Sequence, residues 1–203
     1  VGSPNLENIK EKYYSRLEIQ KKFKLSLDKN KKIILSSFHP ETNTSIQENI
    51  NKLKIFLNFL RSLNQNTIFT YPNADPGFKY FIKLLNQEAT KNKNFSLVKN
   101  FGFKYYFSVL RIADVMIGNS SSGIIESTAF QLPSISIGSR QLNRFCAANV
   151  IFSKINHQNL KKSYNIVVSK QFKKKISKSK NFYYKKNTSV LIKNKIKILL
   201  KNE

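Results

Sequence analysis

The stretch Ala113-Asp114-Val115-Met116-Ile117-Gly118-Asn119-Ser120-Ser121-Ser122-Gly123-Ile124-Ile125-Glu126 holds the residue types best suited to chemistry in this chain. A short apolar strand runs into three hydroxyls and a glycine, and a helix is predicted from Ser122 to Phe130. Free N–H groups and the positive end of a helix dipole converge at such a turn, which suits a phosphate. The serines add donors without charge, and Gly123 permits close backbone approach. Glu126 is expected too deep in the helix to cap it, yet within reach of a sugar attached to that phosphate. An ordinary serine-capped helix carries the same signature.

The elements that must position this turn follow from hydrophobic periodicity. Apolar strands are predicted at 32–38, 67–71, 95–98, 115–117, 134–137 and 150–152. Between them lie amphipathic helices at 45–63, 77–87, 105–112 and 122–130, and helices near 158–168 and 189–200 close the chain. Short apolar strands alternating with amphipathic helices imply an α/β fold, a doubly wound parallel sheet in a single Rossmann-like domain. Ligands of open parallel sheets bind beyond the carboxyl ends of the strands. There the sequence places His39-Pro40-Glu41-Thr42-Asn43, Pro72-Asn73-Ala74-Asp75-Pro76-Gly77, Lys99-Asn100-Phe101-Gly102, Asn119 to Gly123, and Gly138-Ser139-Arg140-Gln141. Polar and small residues collect in these loops while the strands, a few hydroxyls aside, carry almost none, which predicts a nucleotide-sized pocket on one rim.

Composition narrows the class. A chain of 203 residues is long enough for a full core. It contains no run of about 18 apolar residues, so no membrane span is expected. The chain opens at Val1 without a basic leader or apolar segment, and it reads as cut from a longer polypeptide. A lone cysteine, Cys146, fits a cytoplasmic location and leaves neither a disulfide nor a cysteine-based zinc site to expect. The net charge of +25 raises nucleic acid as a partner, but only five of the 36 basic residues are arginine. A solvated lysine surface is the better reading, so nucleic acid is not expected as a partner. The alternative, a basic nucleic-acid-binding module, would sit at Lys170 to Lys186, where Phe172, Phe182, Tyr183 and Tyr184 interleave with lysines.

Four phrases together resemble a known family. They are Phe38 to Asn43, Tyr71 to Gly77, Ile117 to Glu126 and Ile137 to Gln141, and they look like the C-terminal, UDP-binding half of the hydrolysing UDP-N-acetylglucosamine 2-epimerases. The opening Val1-Gly2-Ser3-Pro4-Asn5 resembles the linker joining the two halves in that family. The triple serine favours the hydrolysing branch, because the non-hydrolysing enzymes carry an aspartate-serine-glycine-glycine pattern there. The resemblance covers Val1 to about Lys154 and continues more faintly to the last helix. Asn181 to Asn187 departs from it, since an asparagine-proline-tyrosine-glycine run is usual at that place.

The resemblance implies half of a GT-B architecture, with residues 1–18 as interdomain linker and first helix, 19–170 as the UDP-binding domain, and 171–203 as a basic tail and crossover helix. It implies elimination of UDP from a UDP-sugar to a glycal-type intermediate, then water addition to give the free 2-epimeric sugar for sialic- and legionaminic-type acids. No resident metal or cofactor is implied. Carried over by motif, Ser120 and Ser121 would contact the diphosphate and Glu126 the ribose. Arg140 would neutralise phosphate, His39 and Asn73 would line the nucleotide and leaving-group side, and backbone at Asn100 and Phe101 would lie against uracil. Each has a plainer alternative: a sheet-edge cap for Arg140, a surface salt bridge for Glu126, and turn residues for His39 and Asn73. His39 becomes a candidate proton donor only if its pKa lies near neutral. Asp75 is expected as a helix cap, His157 as inert, and Thr188 or Ser189 as the cap of the last helix. In the family the carboxylates that move the C2 proton and activate water lie largely in the N-terminal domain, which nothing in this chain resembles. The chain alone is therefore expected to bind UDP weakly and turn over little or nothing without that domain in cis or trans. A homo-oligomer is compatible with this reading, and the donor domain of a GT-B glycosyltransferase is a further alternative.

Overall fold

A computed structural model of the protein describes residues 1–7, 9 and 12–200. Among the described residues, six strands form one parallel sheet: β1 (Ile33–Ser37), β2 (Asn66–Thr70), β3 (Phe95–Val98), β4 (Val115–Gly118), β5 (Ser134–Ile137) and β6 (Val150–Ser153). Their order is β3-β2-β1-β4-β5-β6, so the chain starts mid-sheet, winds out to β3, and returns to lay β4 beside β1. That reversal is the switch point at which doubly wound sheets open a crevice. The helices are α1 (Arg16–Phe23), α2 (Ile46–Leu63), α3 (Phe78–Lys91), α4 (Gly102–Ile112), α5 (Glu126–Ala129), α6 (His157–Val167), α7 (Lys170–Ile176) and α8 (Thr188–Leu199).

All five residues of β1 are buried, as expected for a strand covered on both faces. The period of two sorts its side chains: Ile34 packs into one core with α2, α3, α6 and α7, whereas Ile33 and Leu35 face the other with α1 and α4. The Ser45 hydroxyl accepts from the Glu48 amide at 3.1 Å to start α2, and Leu53, Phe56, Leu57 and Leu60 form its buried stripe. Asn64, in the left-handed conformation at φ 49°, stops it.

Several elements differ from the periodicity reading. The helix expected at 122–130 is a 3-10 turn at Ser121–Gly123 followed by the four-residue α5. Hydroxyls explain the shortening: Ser127 donates to the Gly123 carbonyl and Thr128 to that of Ile124, and Gln131 turns left-handed at φ 50° just before Pro133. Glu126 consequently opens α5 rather than lying a turn inside it. The first helix runs to Phe23, across the edge expected at residue 18. An unexpected helix, α7, occupies part of the lysine run because Phe172 and Ile176, one turn apart, both enter the core. The last helix is capped by neither Thr188 nor Ser189. Asn187 precedes it at φ 56°, while the Thr188 hydroxyl donates to the carbonyls of Lys185 and Val1. Around α8, Val190, Leu191, Ile196, Ile198, Leu199 and Leu200 are exposed.

Gly118 ends β4 against Ser37 of β1, where a Cβ would stand 2.0 Å from the Ser37 carbonyl oxygen. Backbone rather than a movable side chain occupies that space. Gly118→Ala should therefore destabilise the chain by at least about 2 kcal/mol by pushing β1 and β4 apart. Urea unfolding of the two proteins measures this.

Candidate functional site

The loops leaving β1, β2, β3, β4 and β5 surround a cavity of about 580 Å³ at the carboxyl edge of the sheet. His39, Asn73, Asn100, Phe101, Ser120, Ser121, Glu126 and Arg140 all line it, so the structure brings together the residues expected to contact a nucleotide. Lys99 and Gln141 line it from the loops expected at the rim, and Ser37, Tyr106 and Arg144 line it from outside them. Arg144 left a signal in the sequence, as one of five arginines in a chain that otherwise uses lysine. Tyr106 left none, because its helical position reads as ordinary packing.

A closed set of hydrogen bonds fixes four of these loops. The Asn119 side chain, fully buried, accepts from the His39 amide at 2.7 Å and donates to the His39 carbonyl at 2.8 Å. Gln141 Nε2 donates to the Asn119 carbonyl at 3.0 Å, and the Asn73 amide donates to His39 Nδ1 at 2.9 Å. Arg140 Nη2 completes the circuit by donating to Asp75 Oδ2 at 3.1 Å. Asp75 is thus not the side-chain cap expected of it. Gly77 precedes α3, and only the Asp75 carbonyl accepts from Phe78. Arg140 pairs with the loop after β2 instead of capping a sheet edge.

The imidazole of His39 is 5 % exposed, and burial, followed by the charge of Arg140, lowers its pKa to about 4 against an opposing pull from Asp75. The near-neutral pKa required of a proton donor is not met. Because Nδ1 accepts from Asn73, the single proton resides on Nε2, 3.2 Å from Ser37 Oγ. At neutral pH His39 is an uncharged hydrogen-bond donor.

Glu126 is buried, which sets aside the surface salt bridge. Its Oε1 accepts from Asn5 Nδ2 at 3.2 Å, while Oε2 has no hydrogen-bond partner among the described residues. A buried acceptor left unmatched costs about 1–3 kcal/mol, an imbalance that a ligand hydroxyl would relieve. Beside it, the Tyr106 hydroxyl lies 2.6 Å from Ser122 Oγ, and burial pushes its pKa up, with Glu126 adding to the shift and Ser122 opposing it. Ser120 Oγ accepts from the Ser122 amide at 3.3 Å, which shapes the serine turn. Asn100 accepts from the Gly102 amide at 2.7 Å in a local turn ahead of α4, while the Phe101 ring packs edge-on to Phe23 in the core.

Comparison with known proteins follows the same lines. The family model described as UDP-N-acetylglucosamine 2-epimerase matches residues 1–197. The chain belongs to this family. Among curated members, a GDP/UDP-N,N'-diacetylbacillosamine 2-epimerase (hydrolyzing) of Campylobacter jejuni is 36 % identical over 163 residues, 79 % of this chain and 41 % of that protein. A UDP-N,N'-diacetylbacillosamine 2-epimerase (hydrolyzing) of Legionella pneumophila is 32 % identical, over 74 % of this chain and 39 % of that protein. The chain thus spans about two-fifths of the length of these curated family members. The fold matches S. aureus MnaA in its co-structure with UDP at a TM-score of 0.70 and 16 % identity, over 98 % of this chain and 52 % of that one. A Methanocaldococcus jannaschii UDP-GlcNAc 2-epimerase solved with UDP-GlcNAc and UDP matches at 0.63 and 16 % identity, over 97 % and 51 %. These epimerase folds are of the GT-B type, and the six-stranded parallel sheet corresponds to one Rossmann-like unit of it.

The depressed pKa of His39 has a sign that can be measured. Its ordinary value is 6.5 and its folded value about 4. The stabilisation from a neutral His39 is complete above pH 6.5 and is lost as pH falls through 4, with a ceiling of about 3 kcal/mol. Between pH 7 and pH 4 the native chain should lose that much more unfolding free energy than His39→Gln, in which only the shared carboxylates titrate.

Proposed function

We propose that the chain is the nucleotide-binding half of a hydrolysing UDP-N-acetylglucosamine 2-epimerase, and that UDP occupies the cavity at the carboxyl edge of the sheet. The observation that carries this reading is the convergence of the expected residues on one cavity, together with a buried carboxylate oxygen there that lacks a donor. Bound nucleotides in the S. aureus and M. jannaschii fold neighbours, and the hydrolysing activity named for the C. jejuni and L. pneumophila proteins, support it.

In this reading Glu126 accepts from a ribose hydroxyl, and Ser120 and Ser121 face the diphosphate. Arg140 meets the phosphate charge with a planar fork, one nitrogen of which Asp75 already holds. His39 can turn its one N–H from Ser37 Oγ to an oxygen of the leaving phosphate, which as a neutral group it binds rather than protonates. Negative charge grows on that phosphate as the C1–O bond breaks, so donors placed around it lower the barrier. Residues 1–18 act as linker and the start of the first helix, 19–170 as the nucleotide domain, and 171–203 as a basic tail and crossover helix that begins within α7. A second domain, in cis or trans, supplies the groups that move the C2 proton and activate water. The product is a free 2-epimeric sugar of the sialic- or legionaminic-type route.

Calorimetry tests the assignment. The 203-residue chain should bind UDP in preference to an RNA oligomer of equal charge. Arg140→Ala should weaken UDP by about 10- to 100-fold and Glu126→Ala by about tenfold, with RNA affinity unmoved. The same chain should release little UDP from UDP-N-acetylglucosamine. Steeply salt-dependent RNA binding with no response to UDP would overturn the reading.

A further inference from the structure

The side chain that holds Glu126 comes from the far end of the sequence. Asn5 lies in a 3-10 turn at Pro4–Leu6 and donates from Nδ2 to Glu126 Oε1 across 121 positions of chain. The segment around it is pinned on several sides. Leu6 is fully buried, the Ser3 amide donates to the Tyr183 carbonyl at 2.7 Å, and the Val1 carbonyl accepts from Thr188. The Glu7 carboxylate accepts from the Ser189 hydroxyl at 2.9 Å. Asn5 is therefore presented to Glu126 from a fixed platform rather than from a loose end.

We propose that Asn5 is a positioning residue for Glu126 and thereby makes the cavity selective for a ribonucleotide over a nucleotide lacking ribose hydroxyls. The inference rests on the nucleotide reading above. A carboxylate is acceptor-only and turns about its last torsion. Donation by Asn5 to Oε1 arrests that rotation and leaves Oε2, unpartnered and in a side chain lining the cavity, as a single acceptor of defined direction. Phosphate oxygens carry no donor at neutral pH and would be repelled. A ribose hydroxyl supplies the donor that Oε2 lacks. Asn5 touches no nucleotide itself; it acts through Glu126.

UDP and 2′,3′-dideoxyuridine diphosphate, titrated into the 203-residue chain, separate the outcomes. Asn5→Ala should weaken UDP roughly three- to tenfold, about the worth of one ordinary hydrogen bond since Asn5 acts only through Glu126, and leave the dideoxy analogue unchanged. Asn5→Asp, equal in size but bringing a second carboxylate to Oε1, should weaken UDP further and again spare the analogue. Equal loss for both ligands would mark Asn5 as merely structural and overturn the proposal, as would wild-type affinity for UDP in both variants. A native chain that takes up neither ligand, or Glu126→Ala binding UDP as well as the native chain, would overturn the nucleotide reading itself. Native binding and a sensitive Glu126 combined with silent Asn5 variants overturn only the role of Asn5.

Discussion

The side chain of Asn119 does for the site what no strand does. Beyond the last paired residues of β1 and β4 the two chains part, and the peptide groups of His39 have no ladder to join. Asn119 supplies both missing partners from one amide, accepting from the His39 N–H and donating to its carbonyl. Its burial means that neither bond competes with water, and an alanine there would orphan two backbone groups at once. That amide holds the loop after β1, and through His39 Nδ1 it steadies Asn73 of the loop after β2, while the Asn119 backbone carbonyl separately accepts from Gln141 of the loop after β5. The cavity is rigid at its floor for this reason, and Gly118 one residue earlier permits the approach of β1 and β4 that lets the amide reach.

Much of this arrangement could be read before any coordinates. Apolar runs such as Ile33-Ile34-Leu35 announce buried parallel strands, and the polar phrases after them fall on a common edge by the geometry of such sheets. What sequence concealed was tertiary in origin. Ser127 and Thr128 look like tolerable helix residues until their hydroxyls are seen bonding backward and cutting α5 short. Asp75 has the spacing of a cap, but an arginine 65 positions away takes its carboxylate. Phe172 in the lysine run resembles a base-stacking aromatic, whereas its ring belongs to the core. Asn5 and Tyr106 stand near Glu126 only because the ends and middle of the chain meet there, a contact no local pattern encodes.

The electrostatics of the cavity differ from those of the chain as a whole. A net charge of +25 is carried chiefly by lysines, but the cavity is lined by Arg140 and Arg144 as well as Lys99, with Glu126 of opposite sign and Asp75 paired to Arg140 behind the lining. His39 adds no charge at neutral pH because burial and Arg140 both resist its protonation. Positive charge for an anion is thus concentrated on planar guanidinium groups, and the imidazole contributes direction without charge. Lysines elsewhere contribute a diffuse field that falls away within about 10 Å at ordinary ionic strength.

The bare aliphatic flank of α8 bears on how this polypeptide behaves as a colloid. Val190, Leu191, Ile196, Ile198 and Leu199 offer water-averse area, while lysines surrounding them keep neighbouring molecules apart by mutual repulsion. Salt weakens that repulsion without weakening the attraction, so dilute buffer keeps the molecules dispersed and brine draws them together.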